Sequence, residues 1–157
     1  MAKAREIPGL APDVPFAEAA RRTIAVRADE LFDHADGVLD TGDIERVHDM
    51  RVASRRLRAV LEIFAPCFDP ALFRPVLRDV KRLADALGAR RDPDVQLAAV
   101  ARLTQAMGEG ERPGLELVAG TFAREQAAGN EVLAAALREA QEGDLRGRLA
   151  ALAEGAR

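Results

Sequence analysis

Residues 45–64 admit only one regular conformation in which their apolar side chains meet. Wound at about 100° per residue, Val47, Met50, Ala53, Leu57, Val60, Leu61 and Phe64 fall on one broad face, the pattern of a helix that buries one side in a core. On roughly the opposite side His48, Arg51, Arg55 and Arg58 follow one another at spacings of three, four and three. Such spacing lines them up as one stripe rising about 15 Å along the axis. Val52, Ala59 and Ile63 add a second, smaller apolar strip beside it. Two readings of the stripe follow from the pattern: a solvated polar face, since arginine is a good helix former, or a cationic row set in a partly enclosed place that attracts an anion.

Helical signals continue on both sides of this segment. Residues 1–12, with Pro8, Gly9 and Pro12, read as a loose arm, and Asp13-Val14-Pro15 as the start of a helix running from about 14 to 36. Asp43 is the N-cap expected for the basic helix. Pro66 and Phe68-Asp69-Pro70 turn the chain into a third helix of about 70–88, where Phe73, Val76, Leu77, Val80, Leu83, Ala84 and Leu87 make the core face and Arg74, Arg78, Lys81 and Asp85 the other. Gly88 reads as its stop, and Asp92-Pro93 as the N-cap and first position of a fourth helix to about Met107. A loop at 108–114 precedes a helix to about Gln141, in which Gly120 or Gly129 marks a close helix contact. Leu145, Leu149 and Leu152 outline a short terminal helix. No stretch alternates as a buried strand would. The expected fold is all-α, an antiparallel bundle of about five long helices and one short helix, with residues 13–157 forming a single domain.

Charge is segregated along this chain. Residues 46–91 carry eleven Lys and Arg against five Asp and Glu, and the remainder carries twelve against twenty-one, so a local excess of +6 sits on a body of −9. A positive field confined to one place draws a polyanion there, while the overall charge of −3 argues against a general nucleic-acid binder. The absence of Trp and Tyr removes the usual stacking platforms for single-stranded bases. One cysteine, Cys67, and two histidines, His34 and His48, fourteen positions apart, do not supply a zinc set, so no metal and no cofactor are expected. No phosphate-cradling glycine loop and no recognisable nucleophile–base pair are present. The lone cysteine and the lack of a long apolar run predict a cytoplasmic protein without a membrane span.

The run Val47-His48-Asp49-Met50-Arg51-Val52-Ala53-Ser54-Arg55-Arg56-Leu57-Arg58 resembles the signature of the CHAD family, the conserved histidine α-helical domain: a His followed three residues later by Arg and then by a basic cluster. Leu77 to Val95 is similar to the family's second motif, a helix, a glycine and an Arg-Asp-x-Asp-Val ending, here Arg91-Asp92-Pro93-Asp94-Val95. What the resemblance implies is a helical module that binds inorganic polyphosphate in a basic groove or pore and performs no chemistry. Placed on this sequence, it implies first contact through His48, Arg51, Arg55, Arg58, Arg78 and Lys81, with Arg56, Arg82, Arg90 and Arg91 behind them. It also implies association with polyphosphate granules. A family member typically has a second, related half facing the first, and no second His-x-x-Arg signature follows residue 91. Three expectations correspond to this: two chains pair as a homodimer in which each supplies one wall, with Val52, Ala59 or Ile63 near the contact, or the molecule is a half-site with weakened binding, or it is a relic. The alternative is a structural or interaction module whose basic face docks an acidic partner.

Overall fold

The structure, a computed structural model, describes residues 3–157, so Met1 and Ala2 of the expected arm lie outside the described residues. It contains five α-helices and no strand among them: α1 Phe16–Asp33, α2 Ile44–Phe64, α3 Pro70–Ala106, α4 Arg112–Glu142 and α5 Leu145–Glu154. α1 and α2 pack on one another, α3 runs back along α2, α4 returns along α3, and α5 closes the bundle against α1. One core results, built from Ile24 and Leu31 of α1, Met50, Leu57 and Leu61 of α2, Val80, Leu83 and Leu87 of α3, Leu133 of α4, and Leu145 and Leu149 of α5. The apolar face expected of α2 is the one it buries, except that Val60 and Phe64 are only half-buried.

Two helices expected between residues 70 and 107 are a single 37-residue helix, about 55 Å long. Neither Gly88 nor Asp92-Pro93 interrupts it. Ala86, Leu87, Arg90, Pro93 and Asp94 all face inward on one continuous stripe, and burial against α4 outweighs the local breaking signals. Pro93 withholds an N–H from the carbonyl of Ala89, four residues earlier. That carbonyl is met from α4 by Gly129, where a Cβ would lie 2.7 Å from the oxygen. Gly129 is therefore the close helix contact, and Gly120, whose Cβ would touch only the tip of Arg124, is not.

Beyond Asp94 the core stops. No side chain from Val95 to Ala128 is buried, and the end of α3 and the start of α4 extend past the bundle as a two-helix hairpin turned at Gly108–Glu111. The described part of the N-terminal arm has no helix, and Arg5 and Gly9 tie it to α1. The Arg5 backbone N–H donates to Glu30 (2.5 Å), its guanidinium to Asp33 (2.6 Å), Arg27 to the Arg5 carbonyl (3.0 Å), and Arg22 to the Gly9 carbonyl. Burial works to raise the Glu30 carboxyl, yet the Arg5 N–H and the Arg27 guanidinium outweigh it and hold that group below the ordinary carboxylate range. At the other end the Arg157 N–H donates to the Cys67 carbonyl (3.0 Å), over a buried thiol whose pKa burial pushes up.

Candidate functional site: a charged groove between two antiparallel helices

α2 and α3 run antiparallel because only a three-residue 3-10 turn, Ala65–Cys67, and Phe68-Asp69 separate them; Asp69 caps α3 by accepting from the Ala71 N–H (2.8 Å). Their outer faces enclose a groove of about 570 Å³. α2 contributes Arg51, Arg55, Arg58 and Ala59, with Glu62 at one end; α3 contributes Ala84, Asp85, Gly88, Ala89 and Asp92. The α3 residues are mostly small. A Cβ added at Gly88 would meet nothing within 4 Å, so the middle of the groove is open for want of a side chain.

Cross-links fix the walls. Near one end the Arg58 ε-nitrogen donates to Glu62 (3.1 Å) and the Lys81 ammonium lies 3.4 Å from the same oxygen. The Arg58 guanidinium holds the Glu62 carboxyl below the ordinary carboxylate range against its slight burial, and Lys81 adds to this. At the other end Arg91 donates to the Ile44 carbonyl (3.2 Å) and lies 3.9 Å from Glu45. Between these ties, Arg51 and Arg55 make no side-chain hydrogen bond or ion pair among the described residues. Uncompensated guanidinium groups facing a concave surface are planar, forked donors available to an oxyanion.

The other expected contact residues are distributed differently. His48 is half-buried on the first turns of α2, outside the groove lining, and its ring lies within 4.8 Å of the carboxylate oxygens of Glu45 and Asp49. These three make a group able to hold a metal ion, which a count of histidines and cysteines alone passes over. Arg78 is exposed beside Asp79 (3.3 Å). Arg56 is half-buried and its charge acts on Glu30 of α1. Arg82 lies outside the groove on the α4 side of α3, in cavities formed with α4 and α5 that Glu139 also lines; Asp85 and Ala89, at the rim, line one of these cavities as well as the groove. Arg91 is half-buried as the tie to α2 just described.

Arg90, expected in the second rank of phosphate contacts, is wholly enclosed at the α3–α4 contact. Its guanidinium pairs with Asp94, one turn on, and its ε-nitrogen donates to the Asn130 side-chain oxygen (3.1 Å). Gln126 donates to Asp94 (2.6 Å), and Asn130 donates onward to the Leu39 carbonyl (3.0 Å). A charge placed there orients α4 on α3 and does not reach a groove ligand. In the Arg-Asp-x-Asp-Val run, the structure thus sends Arg91 to α2, Asp92 to the groove and Asp94 to the core.

Asp85, Gly88 and Asp92 are the groove residues that sequence reasoning did not assign to it. The signal was the spacing: 85, 88 and 92 share a face with Ala84 and Ala89, and that face is distinct from the stripe that carries Leu83, Leu87 and Arg90.

A family model described as the CHAD domain matches residues 22–157, and the chain belongs to that family. No curated protein and no solved structure matches it. No helix among the described residues is long and apolar enough to cross a membrane.

Proposed function

We propose that this chain is a noncatalytic module that binds inorganic polyphosphate along the α2–α3 groove. The observation that carries the reading is the pair Arg51 and Arg55, which faces a 570 Å³ groove without counter-ions of its own, beside Arg58. Membership of the CHAD family supports a polyphosphate-type ligand. A linear polyanion suits a row of cations one helical turn apart, because each arginine takes phosphate oxygens of successive units through paired N–H donors. Lys81 and Arg78 extend the row beyond Glu62. Nucleic acid fits less well, since no aromatic side chain lines the groove to stack a base. The location that suits this role is the cytoplasm, at polyphosphate granules.

A symmetric homodimer belongs to the same proposal. Ile63 is 61% exposed and Ala59 lines the groove, so a second copy laid against this side of α2 would cover the ligand and shield the arginines from screening. Sedimentation with and without polyphosphate tests it; a monomer in both conditions removes the dimer.

The binding test is a titration with polyphosphates of graded length. Long chains should bind far better than orthophosphate, with an affinity that falls steeply with salt as counterions are released. Replacing Arg51 and Arg55 together by Ala should lower that salt slope by about two units and cost about 2–5 kcal/mol, from about 1.5–3 per charge-assisted contact discounted for exposure. The exposed residues Arg102 and Arg138 are the control. If their removal weakens binding as much, the attraction is diffuse and the groove is not the site.

A further inference from the structure

The groove is not uniformly basic. Arg51, Arg55 and Arg58 on α2 stand across it from Asp85 and Asp92 on α3, and Glu62 closes one end, so three positive and three negative side chains share one concave surface. Within the described residues Arg51, Arg55, Asp85 and Asp92 make no ion pair with one another or with any other group. The walls are therefore held too far apart to neutralise each other. The cross-links Lys81–Glu62 and Arg91–Ile44 set that separation, and Gly88 leaves the space between them empty.

A bare polyphosphate chain laid on the arginines would face Asp85 and Asp92 across the groove, and these like charges repel it. A chain carrying divalent cations presents phosphate oxygens to one wall and metal to the other. Mg²⁺ suits this arrangement: it binds phosphate oxygens together with one or two carboxylates and keeps several waters, which a groove of this volume accommodates. We infer that Asp85 and Asp92 are specificity-determining residues of the groove, which admits polyphosphate loaded with a divalent cation in preference to the bare chain. The arginine wall fixes the phosphates, and the aspartate wall reads their counter-ions. The inference rests on the polyphosphate reading above and adds to it a sign that simple charge attraction does not have.

That sign gives the test. Mg²⁺ neutralises polyphosphate, so for a purely cationic site it weakens binding; for this groove it strengthens binding. The measurement is titration of a long-chain polyphosphate by calorimetry, in chelator-treated buffer and in millimolar Mg²⁺ at matched ionic strength. It compares the unmodified protein with the double variant Asp85→Asn, Asp92→Asn. Both aspartates are exposed and unpaired, so the variant keeps the fold, which circular dichroism and the thermal midpoint check. The expected result is an affinity raised roughly tenfold by Mg²⁺ in the unmodified protein, about the worth of one added contact. The variant should bind the bare chain more tightly than the unmodified protein does, and Mg²⁺ should then weaken its binding. If Mg²⁺ weakens both proteins alike, the inference fails while the groove stands. If Mg²⁺ strengthens both alike, the cation is held elsewhere, with Glu45, His48 and Asp49 the next residues to change, and the inference again fails. If neither protein binds polyphosphate with or without Mg²⁺, the functional reading itself falls, and this inference with it.

Discussion

Gly88 and Gly129 lie inside the long helices α3 and α4, and the structure assigns them opposite responses to the same substitution. Gly→Ala in a helix interior is worth about 1 kcal/mol from backbone entropy alone. At Gly88 nothing lies within 4 Å of the added methyl, so Gly88→Ala should realise most of that and stabilise by about 0.5–1 kcal/mol. At Gly129 the methyl would lie 2.7 Å from the Ala89 oxygen, 3.1 Å from the Arg90 Cα and 3.2 Å from the Ala89 carbonyl carbon, all of them backbone. Backbone cannot swing aside as a side chain does, so α4 must back away from α3 by several tenths of an ångström. That displacement loosens Leu133 and the enclosed Arg90–Asp94 pair. Overpacking of this kind costs about 1–3 kcal/mol beyond the entropy gained, and Gly129→Ala should be destabilised by about 1–2 kcal/mol. For a chain of this size each kcal/mol moves the thermal midpoint by about 2–4 °C, so the two variants should straddle the unmodified protein and differ by about 3–12 °C. Urea titration should give the same order at an unchanged m-value. A stabilised Gly129→Ala, or a Gly88→Ala that loses stability, would refute the packing of α4 on the Ala89 carbonyl.

Other outcomes follow from the ion pairs. The Glu18 carboxyl is pulled down to about 2 by hydrogen bonds from Arg21 and Arg22, from an ordinary 4.5; its contribution is therefore complete above pH 4.5 and is lost as pH falls toward 2. Glu18→Gln should flatten the acid side of the stability curve in that window and leave it unchanged in shape above pH 5. Arg90→Met should cost about 3–5 kcal/mol, because it strands a buried Asp94, whereas Arg90→Met with Asp94→Leu should recover much of the loss. Additivity in that double-mutant cycle would mean that the two charges do not interact.

How far the sequence discloses this molecule depends on whether a feature is set within one helix or between two. Helical periodicity alone located α2, its buried Val47, Met50, Ala53, Leu57 and Leu61, and the outward Arg51, Arg55 and Arg58, since all are fixed by winding one segment. The stops read at Gly88 and at Asp92-Pro93 were local signals that packing against α4 overrode. Arg90 and Arg91 are indistinguishable as text, yet 100° of rotation sends one into the core and the other to α2. Spacing puts Asp85 and Asp92 on one face of α3, but that this face lies across from Arg51 and Arg55 depends on how α3 packs on α2, which no periodicity within either helix encodes.

The hairpin beyond Asp94 sets one part of the molecule apart by its lack of buried side chains, and local stability should follow burial. Between Val95 and Ala128 no side chain is buried, only half-buried ones such as Leu97, Val100 and Phe122 support the helical hydrogen bonds, and such segments open at lower free energy than a packed core. In hydrogen exchange the residues around Gly108 should label first and the amides near Leu83 and Leu87 last, so one helix, α3, spans fast and slow regimes along its length. A ligand lodged between α2 and the inner half of α3 should slow exchange there and leave the outer half at its original rate. The molecule thus carries an internal clock against which occupancy of the groove can be read.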